Sequence, residues 1–280
     1  MRLLVTGAAG MLGHKVAEYA EQLGHDVVSA DIAQFDLTDA ESTRAFVAEV
    51  EPAAIINCAA YTNVDGAEEQ EEFALAINGA GAGNLAAAAA ASGTRIVHLS
   101  TDYVFDGVND EPWLESDTPS PLGAYGRTKL AGEQLVAAAT PDHAIVRTAW
   151  LFGAGGPNFL DTMLRLAEDR DEVSVVTDQI GCPTWTGHLA PALIELAERR
   201  EDTGIFHAVG AGYCSWNELT IELFDRAGVD CRVLPTTSEA FKRPAPRPAW
   251  SVLGTEREPG VLLPPWQDGV QGHLDQRTDA

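Results

Sequence analysis

Lysine is nearly absent from this 280-residue chain, which holds only Lys15, Lys129 and Lys242. Lys and Arg together number 18 against 42 Asp and Glu, leaving a formal charge of −24 at pH 7. Such a chain repels polyanions, so nucleic acid is not expected as a partner. Long apolar runs are missing too: no stretch of about 18 consecutive apolar residues occurs, and no membrane span is expected. The N-terminus enters Arg2-Leu3-Leu4-Val5 directly, without a charged segment before an apolar core, so no signal peptide is expected. Cysteine is scarce. Cys58, Cys182, Cys214 and Cys231 lack the paired spacing of a zinc or redox motif, which predicts reduced, mostly buried thiols and a cytoplasmic protein. No His, Cys, Asp or Glu cluster has ligand spacing, so no metal site is predicted. The acids are spread along the chain rather than gathered in a tail, and 45% of the residues are hydrophobic, which excludes disorder. An acidic surface almost without lysine predicts a halophilic host.

What the chain does have is alternation. Leu3–Thr6, Asp26–Ala30, Ala53–Asn57, Arg95–Ser100 and Ala144–Arg147 read as apolar strands. Between them, Met11–Leu23, Asp39–Val50, Glu68–Ala91 and Gly126–Ala138 carry helical patterns. Apolar strands separated by crossover helices predict an α/β fold, a Rossmann-like doubly wound parallel sheet. After about residue 150 the alternation breaks at Gly153–Pro157, Pro183 and Pro235–Pro248, with helices expected over Asn158–Asp169, Gly187–Arg199 and Ser215–Ala227. The reading is a dinucleotide-binding domain over residues 1–150 and a smaller, irregular C-terminal substrate-binding lobe over 151–280. The two are expected to pack intimately, with Gln276–Ala280 frayed.

The first strand runs into Gly7-Ala8-Ala9-Gly10-Met11-Leu12-Gly13 and then a helix. Gly7 permits the tight turn, Gly10 lets a backbone approach a pyrophosphate, and Gly13 lets helix and strand pack closely. Asp31 ends the second strand, placed to accept hydrogen bonds from ribose hydroxyls and to repel a 2′-phosphate, which favours NADH over NADPH. Asp36-Leu37 and Ala59-Ala60-Tyr61-Thr62 fall at the ends of later elements, along the expected path of the dinucleotide.

Tyr125-Gly126-Arg127-Thr128-Lys129, downstream of Ser100-Thr101-Asp102, places a phenol and an ammonium one helical turn apart, with a Thr or Ser hydroxyl supplied from elsewhere. A free tyrosine titrates near 10 and transfers protons poorly at neutral pH; a neighbouring ammonium is expected to lower that value. Trp150, at the end of a strand, reads by itself as a core residue. Arg247 reads either as a diphosphate ligand or as a solvated loop arginine. His98, His143 and His207 lie in apolar runs and read as core residues.

Taken together, these segments resemble the extended short-chain dehydrogenase/reductases, and within them the dTDP-4-dehydrorhamnose reductases. The resemblance covers nearly the whole chain. Its narrower signals are Ser100-Thr101-Asp102-Tyr103-Val104-Phe105, Asp178-Gln179-Ile180-Gly181-Cys182-Pro183-Thr184 and Arg247-Pro248-Ala249-Trp250-Ser251-Val252-Leu253. It implies a catalytic set of Thr101, Tyr125 and Lys129, with Asp102, Tyr103 and Trp150 lining a sugar pocket. It also implies dinucleotide contacts from Gly10-Met11-Leu12, Asp31, Asp36-Leu37 and Ala60-Tyr61-Thr62, with Tyr125 and Lys129 at the nicotinamide ribose. NADH or NADPH would reduce the C4 ketone of a nucleotide-linked 4-keto-6-deoxy sugar, in a possible homodimer. A 4,6-dehydratase typically carries Asp-Glu after the threonine, where this chain has Asp102-Tyr103. An epimerase and a non-catalytic binding subunit are the other readings; a binding subunit does not need the complete Thr/Tyr/Lys set found here.

Overall fold

The computed structural model describes residues 1–278. Six parallel strands form the central sheet: β1 (Arg2–Thr6), β2 (Asp26–Ala30), β3 (Ala54–Asn57), β4 (Arg95–Thr101), β5 (His143–Thr148) and, far along the chain, β10 (Gly204–His207). Their order is β10-β5-β4-β3-β1-β2. β1 has β2 on one side and β3 on the other, so the chain reverses direction across the sheet there, and the crevice outside the carboxyl ends opens at this point. Every residue of β3 and β4 is buried, as a strand covered on both faces requires. On one face lie α1 (Met11–Gln22) and α8 (Thr186–Glu198), which pack Leu12, Val16, Leu189 and Leu193 onto Leu3, Val5 and Val97. The other face takes α2 (Ala40–Val50), α5 (Ala82–Ser92) and α6 (Ala124–Ala139), through Val47, Leu85, Ala86, Ala89 and Val136.

The smaller lobe holds a second core, with Phe152, Leu160, Val173, Leu219, Phe224 and Trp266 at its centre. It is assembled from α7 (Phe159–Ala167), α9 (Trp216–Ala227), α10 (Trp266–Thr278) and short paired strands: β6 (Leu151–Phe152) with β9 (Thr184–Trp185), β7 (Glu172–Val176) with β12 (Arg232–Thr236), and β8 (Ile180–Gly181) with β11 (Cys214–Ser215).

Four expectations need correction. First, the division at residue 150 does not follow the sheet, because β10 and α8 come from beyond it and complete the nucleotide-binding half. β10 is the strand-like apolar run that ends in His207, and at four residues on the sheet edge it carries too little pattern to be assigned to the sheet from sequence. Second, the helix expected over Glu68–Ala91 is broken into α3 (Val64–Glu69), α4 (Glu71–Leu75), a π-helical turn at Ala76–Gly81 and α5. Third, by length and hydropathy the 22-residue run Glu71–Ser92 suffices to cross a membrane, against the expectation of no such segment; half of its most apolar window is buried, and α5 packs between α2 and α6. Fourth, α10 continues to Thr278, so Gln276 to Thr278 are helical, and the rest of the expected frayed tail lies outside the described residues.

Candidate active site

A cavity of about 940 Å³ opens along the carboxyl edge of the sheet. Its cofactor end is built mostly from backbone. Gly7 holds φ at +68°, and a Cβ there would lie 2.6 Å from the Ala59 nitrogen, so the turn and its contact with the next loop both require glycine. α2, α7 and α9 have side-chain caps from Asp39, Asn158 and Ser215, whereas α1 has none. Its first amides, beside Gly10, Met11, Leu12 and Gly13, therefore face the cavity ready for an anion. Asp31 Oδ2 accepts from the Ala9 amide at 2.6 Å, fastening the end of β2 to the glycine turn. Asp36, Leu37, Ala59, Ala60 and Thr62 complete this end. The glycine cradle and the uncapped helix fit a dinucleotide.

Tyr61 does not line the cavity. Its backbone is clamped by the buried Asn78, whose Oδ1 accepts from the Tyr61 amide at 2.8 Å and whose Nδ2 donates to the Tyr61 carbonyl at 3.1 Å. The same Nδ2 reaches Thr128 Oγ1 on α6 at 3.1 Å. The π-helical turn is what presents Asn78, and no motif in the sequence announced it.

At the other end, Thr101, Asp102, Tyr103, Tyr125, Lys129 and Trp150 converge as expected. Thr101 Oγ1 donates to Asp102 Oδ1 at 2.9 Å and accepts from the Tyr103 amide at 3.2 Å. Burial pushes the Asp102 carboxyl up to about 6. Burial, helped by the Asp102 charge, pushes the Tyr125 phenol up to about 12, with the Thr101 hydroxyl acting in the other direction. The expected lowering of Tyr125 by Lys129 is therefore reversed. Lys129 Nζ donates instead to the Leu99 carbonyl at 2.6 Å, and burial brings its own value down to about 8. Tyr125 thus stands protonated at neutral pH.

Trp150 holds φ at +46°, a strained conformation for so large a residue. Its indole is stacked on Trp216 with centroids 3.5 Å apart and planes within 4°. Trp216 Nε1 donates to Gln179 Oε1 at 3.1 Å, and Gln179 Nε2 donates to Ser238 Oγ at 2.8 Å. Trp216 also lines the cavity, as do Gly155, Gly156 and Pro157 of the segment read only as an interruption. Arg247 is absent from the cavity wall. It meets Asp65 of α3 at 2.5 Å and 3.1 Å, because that carboxylate is already fixed to the loop by the Ala245 amide at 3.2 Å. Among the described residues no group of three or more His, Cys, Asp and Glu is placed to hold a metal.

A glycine turn under an open helix terminus, together with Tyr-x-x-x-Lys beside a threonine at the end of β4, defines a nicotinamide-dependent enzyme of the extended short-chain dehydrogenase/reductase class. The chain belongs to the family described as RmlD substrate binding domain, whose model matches residues 1–278. It is 44% identical over 276 residues to dTDP-4-dehydrorhamnose reductase of Mycolicibacterium smegmatis, covering 96% of this chain and 84% of that one. It is 46% identical over 264 residues to dTDP-4-keto-6-deoxy-D-glucose reductase of Streptomyces niveus, covering 93% and 91%. The crystal structure of dTDP-4-dehydrorhamnose reductase from Bacillus anthracis in complex with NADP superposes with a TM-score of 0.95 at 37% identity, covering 98% of this chain and 99% of that one.

Proposed function

We propose that this protein reduces the C4 ketone of a dTDP-linked 4-keto-6-deoxy sugar, giving dTDP-L-rhamnose from dTDP-4-dehydrorhamnose. The observation that carries this reading is the convergence of Thr101, Tyr125, Lys129 and Trp150 in one cavity whose other end is a dinucleotide cradle. Gly7, the α1 amides and Asp31 would hold the cofactor, and a bound reduced nicotinamide supplies the hydride. Tyr125 holds the proton at Oη and passes it to the oxygen on which charge develops. Thr101, turning its hydroxyl away from Asp102, donates a hydrogen bond to that same oxygen. Lys129 presents its ammonium to the nicotinamide ribose and stabilises the phenolate that Tyr125 leaves behind. Trp150 and Trp216 form an apolar wall for the sugar and exclude water from it.

NADH is the favoured cofactor, since the charged residues at the ribose end are Asp31 and Asp36 and the cavity's cation, Lys129, lies at the other end. The Bacillus anthracis neighbour carries NADP, so both nucleotides belong in the test. Reduction of dTDP-4-keto-6-deoxy-D-glucose is the second reading, favoured by the name of the Streptomyces niveus relative. The protein acts as a cytoplasmic enzyme, a homodimer without nucleic-acid or membrane partners, and its charge of −24 suits a halophilic host. The test is nicotinamide absorbance in molar KCl with each reduced cofactor and each keto sugar. Steady oxidation with formation of dTDP-L-rhamnose supports the first reading. Oxidation only with the glucose-derived ketone supports the second, and sugar interconversion without net oxidation would indicate an epimerase.

A further inference from the structure

Below the cavity floor, oppositely charged side chains are packed almost out of solvent: Lys129 is 2% exposed, Glu133 3% and Arg147 1%. Glu133 lies one turn beyond Lys129 on α6. Arg147 on β5 grips its carboxylate with both arms of the guanidinium, Nε to Oε1 at 2.9 Å and Nη2 to Oε2 at 2.8 Å. Ser100, next to Thr101 at the end of β4, donates Oγ to Glu133 Oε1 at 2.5 Å. Arg147 is held in turn by the Phe105 ring, 5.1 Å from the centroid, and by His207 Nε2 at 3.5 Å. His207 Nδ1 lies 2.7 Å from the Gly254 carbonyl, and Glu115 accepts from the His207 amide. The carboxylate has no freedom to turn away, and its hydrogen-bonding capacity is well used. A buried ionic group needs both conditions to be tolerated.

The titratable groups around Lys129 come from three elements. Tyr125 and Glu133 share α6 with it, Cys58 follows β3, and His98 stands on β4. Burial pushes the Cys58 thiol up to about 12, and burial and the Lys129 charge hold His98 well below its ordinary range, so both are neutral. Tyr125 is neutral as well. Of this set, Glu133 carries the negative charge, one turn along α6 from Lys129 and likewise buried, and it opposes the lowering that burial imposes on the ammonium.

We infer that Glu133 is a positioning residue for the reaction: locked by Arg147, it ties the strand end bearing Thr101 to the helix bearing Tyr125 and Lys129, and it is the counter-charge of Lys129. This rests on the placement of Lys129 at the cofactor proposed above. An exposed pair at this spacing contributes little, but here water is excluded and the interaction is much less screened.

The experiment compares pH profiles of kcat for the wild type, Glu133→Gln, Glu133→Gln with Arg147→Met, Ser100→Ala and Lys129→Met, with NADH affinity from nucleotide fluorescence at each pH. In Glu133→Gln the alkaline limb should move down by on the order of one pH unit, because an ammonium without its counter-charge gives up its proton sooner. The double variant leaves no unpaired buried guanidinium and keeps the fold within reach. Its limb should move the same way by less, since the repulsion from Arg147 is removed too. Ser100→Ala should lower kcat several-fold and leave the limb in place. An unmoved limb in the folded glutamine variants overturns the counter-charge, and an unchanged kcat in Ser100→Ala overturns the tie between strand and helix. Wild-type turnover in Lys129→Met would instead overturn the site assignment on which the inference rests.

Discussion

The two ends of the cavity are built by different means. At the cofactor end the functional atoms are mostly main-chain amides, contributed by one short stretch from Gly7 to Gly13, and a lack of side chains makes the space. At the end proposed for the sugar the lining is of side chains drawn from distant elements: Thr101 from β4, Tyr125 and Lys129 from α6, Trp150 beyond β5 and Trp216 from α9. A backbone site is complete once its local turn forms. A side-chain site exists only when the sheet, the lobe and the buried ion pairs are all in place. Damage should therefore read out differently at the two ends: through binding and stability at the first, through turnover at the second.

The largest effect is expected from Tyr125→Phe. Turnover should fall by about 10²- to 10⁴-fold while NADH affinity, measured by fluorescence titration, stays nearly intact. An equal loss of NADH binding would erase the distinction between the ends. Next comes Gly7→Ala, which adds a Cβ against the Ala59 nitrogen in a left-handed conformation. It should cost about 2–4 kcal/mol in denaturant midpoints and remove NADH binding altogether.

Solution pH offers a gentler handle on the chemical end. Lys129 is ordinarily charged up to about pH 10.5, but burial brings its value down to about 8. A rate that needs the ammonium is therefore sustained at neutral pH and declines as pH rises through about 8. Tyr125, held up to about 12, keeps its proton over that whole range. A rate that climbed through pH 8 would contradict both assignments.

Smaller still is Trp216→Ala, which removes the partner that stacks on Trp150. The sugar KM should rise by about 5- to 10-fold with NADH affinity unchanged, in keeping with an aromatic pair of about 1 kcal/mol. The smallest effect is expected from Arg247→Met. Its ion pair with Asp65 is partly solvated, with side chains 17% and 25% exposed, so stability should change by less than about 1 kcal/mol. A large rise in sugar KM from that change would mean that Arg247 leaves Asp65 to meet the diphosphate.

Particular residues show where sequence reasoning succeeded and where it stopped. The strands β1 to β5 were legible because each holds a short apolar stretch between helical segments, as strands of a parallel sheet do, even where polar residues join it as in β4 or the edge leaves it half exposed as in β2. Gly7, Gly13 and Asp31 were legible because the turn geometry constrains residue type at fixed offsets. Tyr125 and Lys129 were legible because one helix sets their spacing. Trp216 was missed because an indole on an amphipathic helix looks the same whether it faces core or cavity. Asn78 was missed because nothing in an alanine-rich run signals a π-helical turn. Arg247 was left open between a diphosphate ligand and a solvated loop arginine, and neither is its place: Asp65, far away in sequence and adjacent in space, holds it.

The amino-acid order alone determined the doubly wound sheet, the glycine turn after β1 and the one-turn spacing of Tyr125 and Lys129, because each depends on local periodicity, backbone conformation or spacing within one helix. Only the tertiary structure decided which strand completes the sheet, which tryptophan backs Trp150, which acid holds Arg247 and in which protonation state Tyr125 stands. These outcomes depend on burial and on charges brought together by packing, and both are properties of the folded chain as a whole.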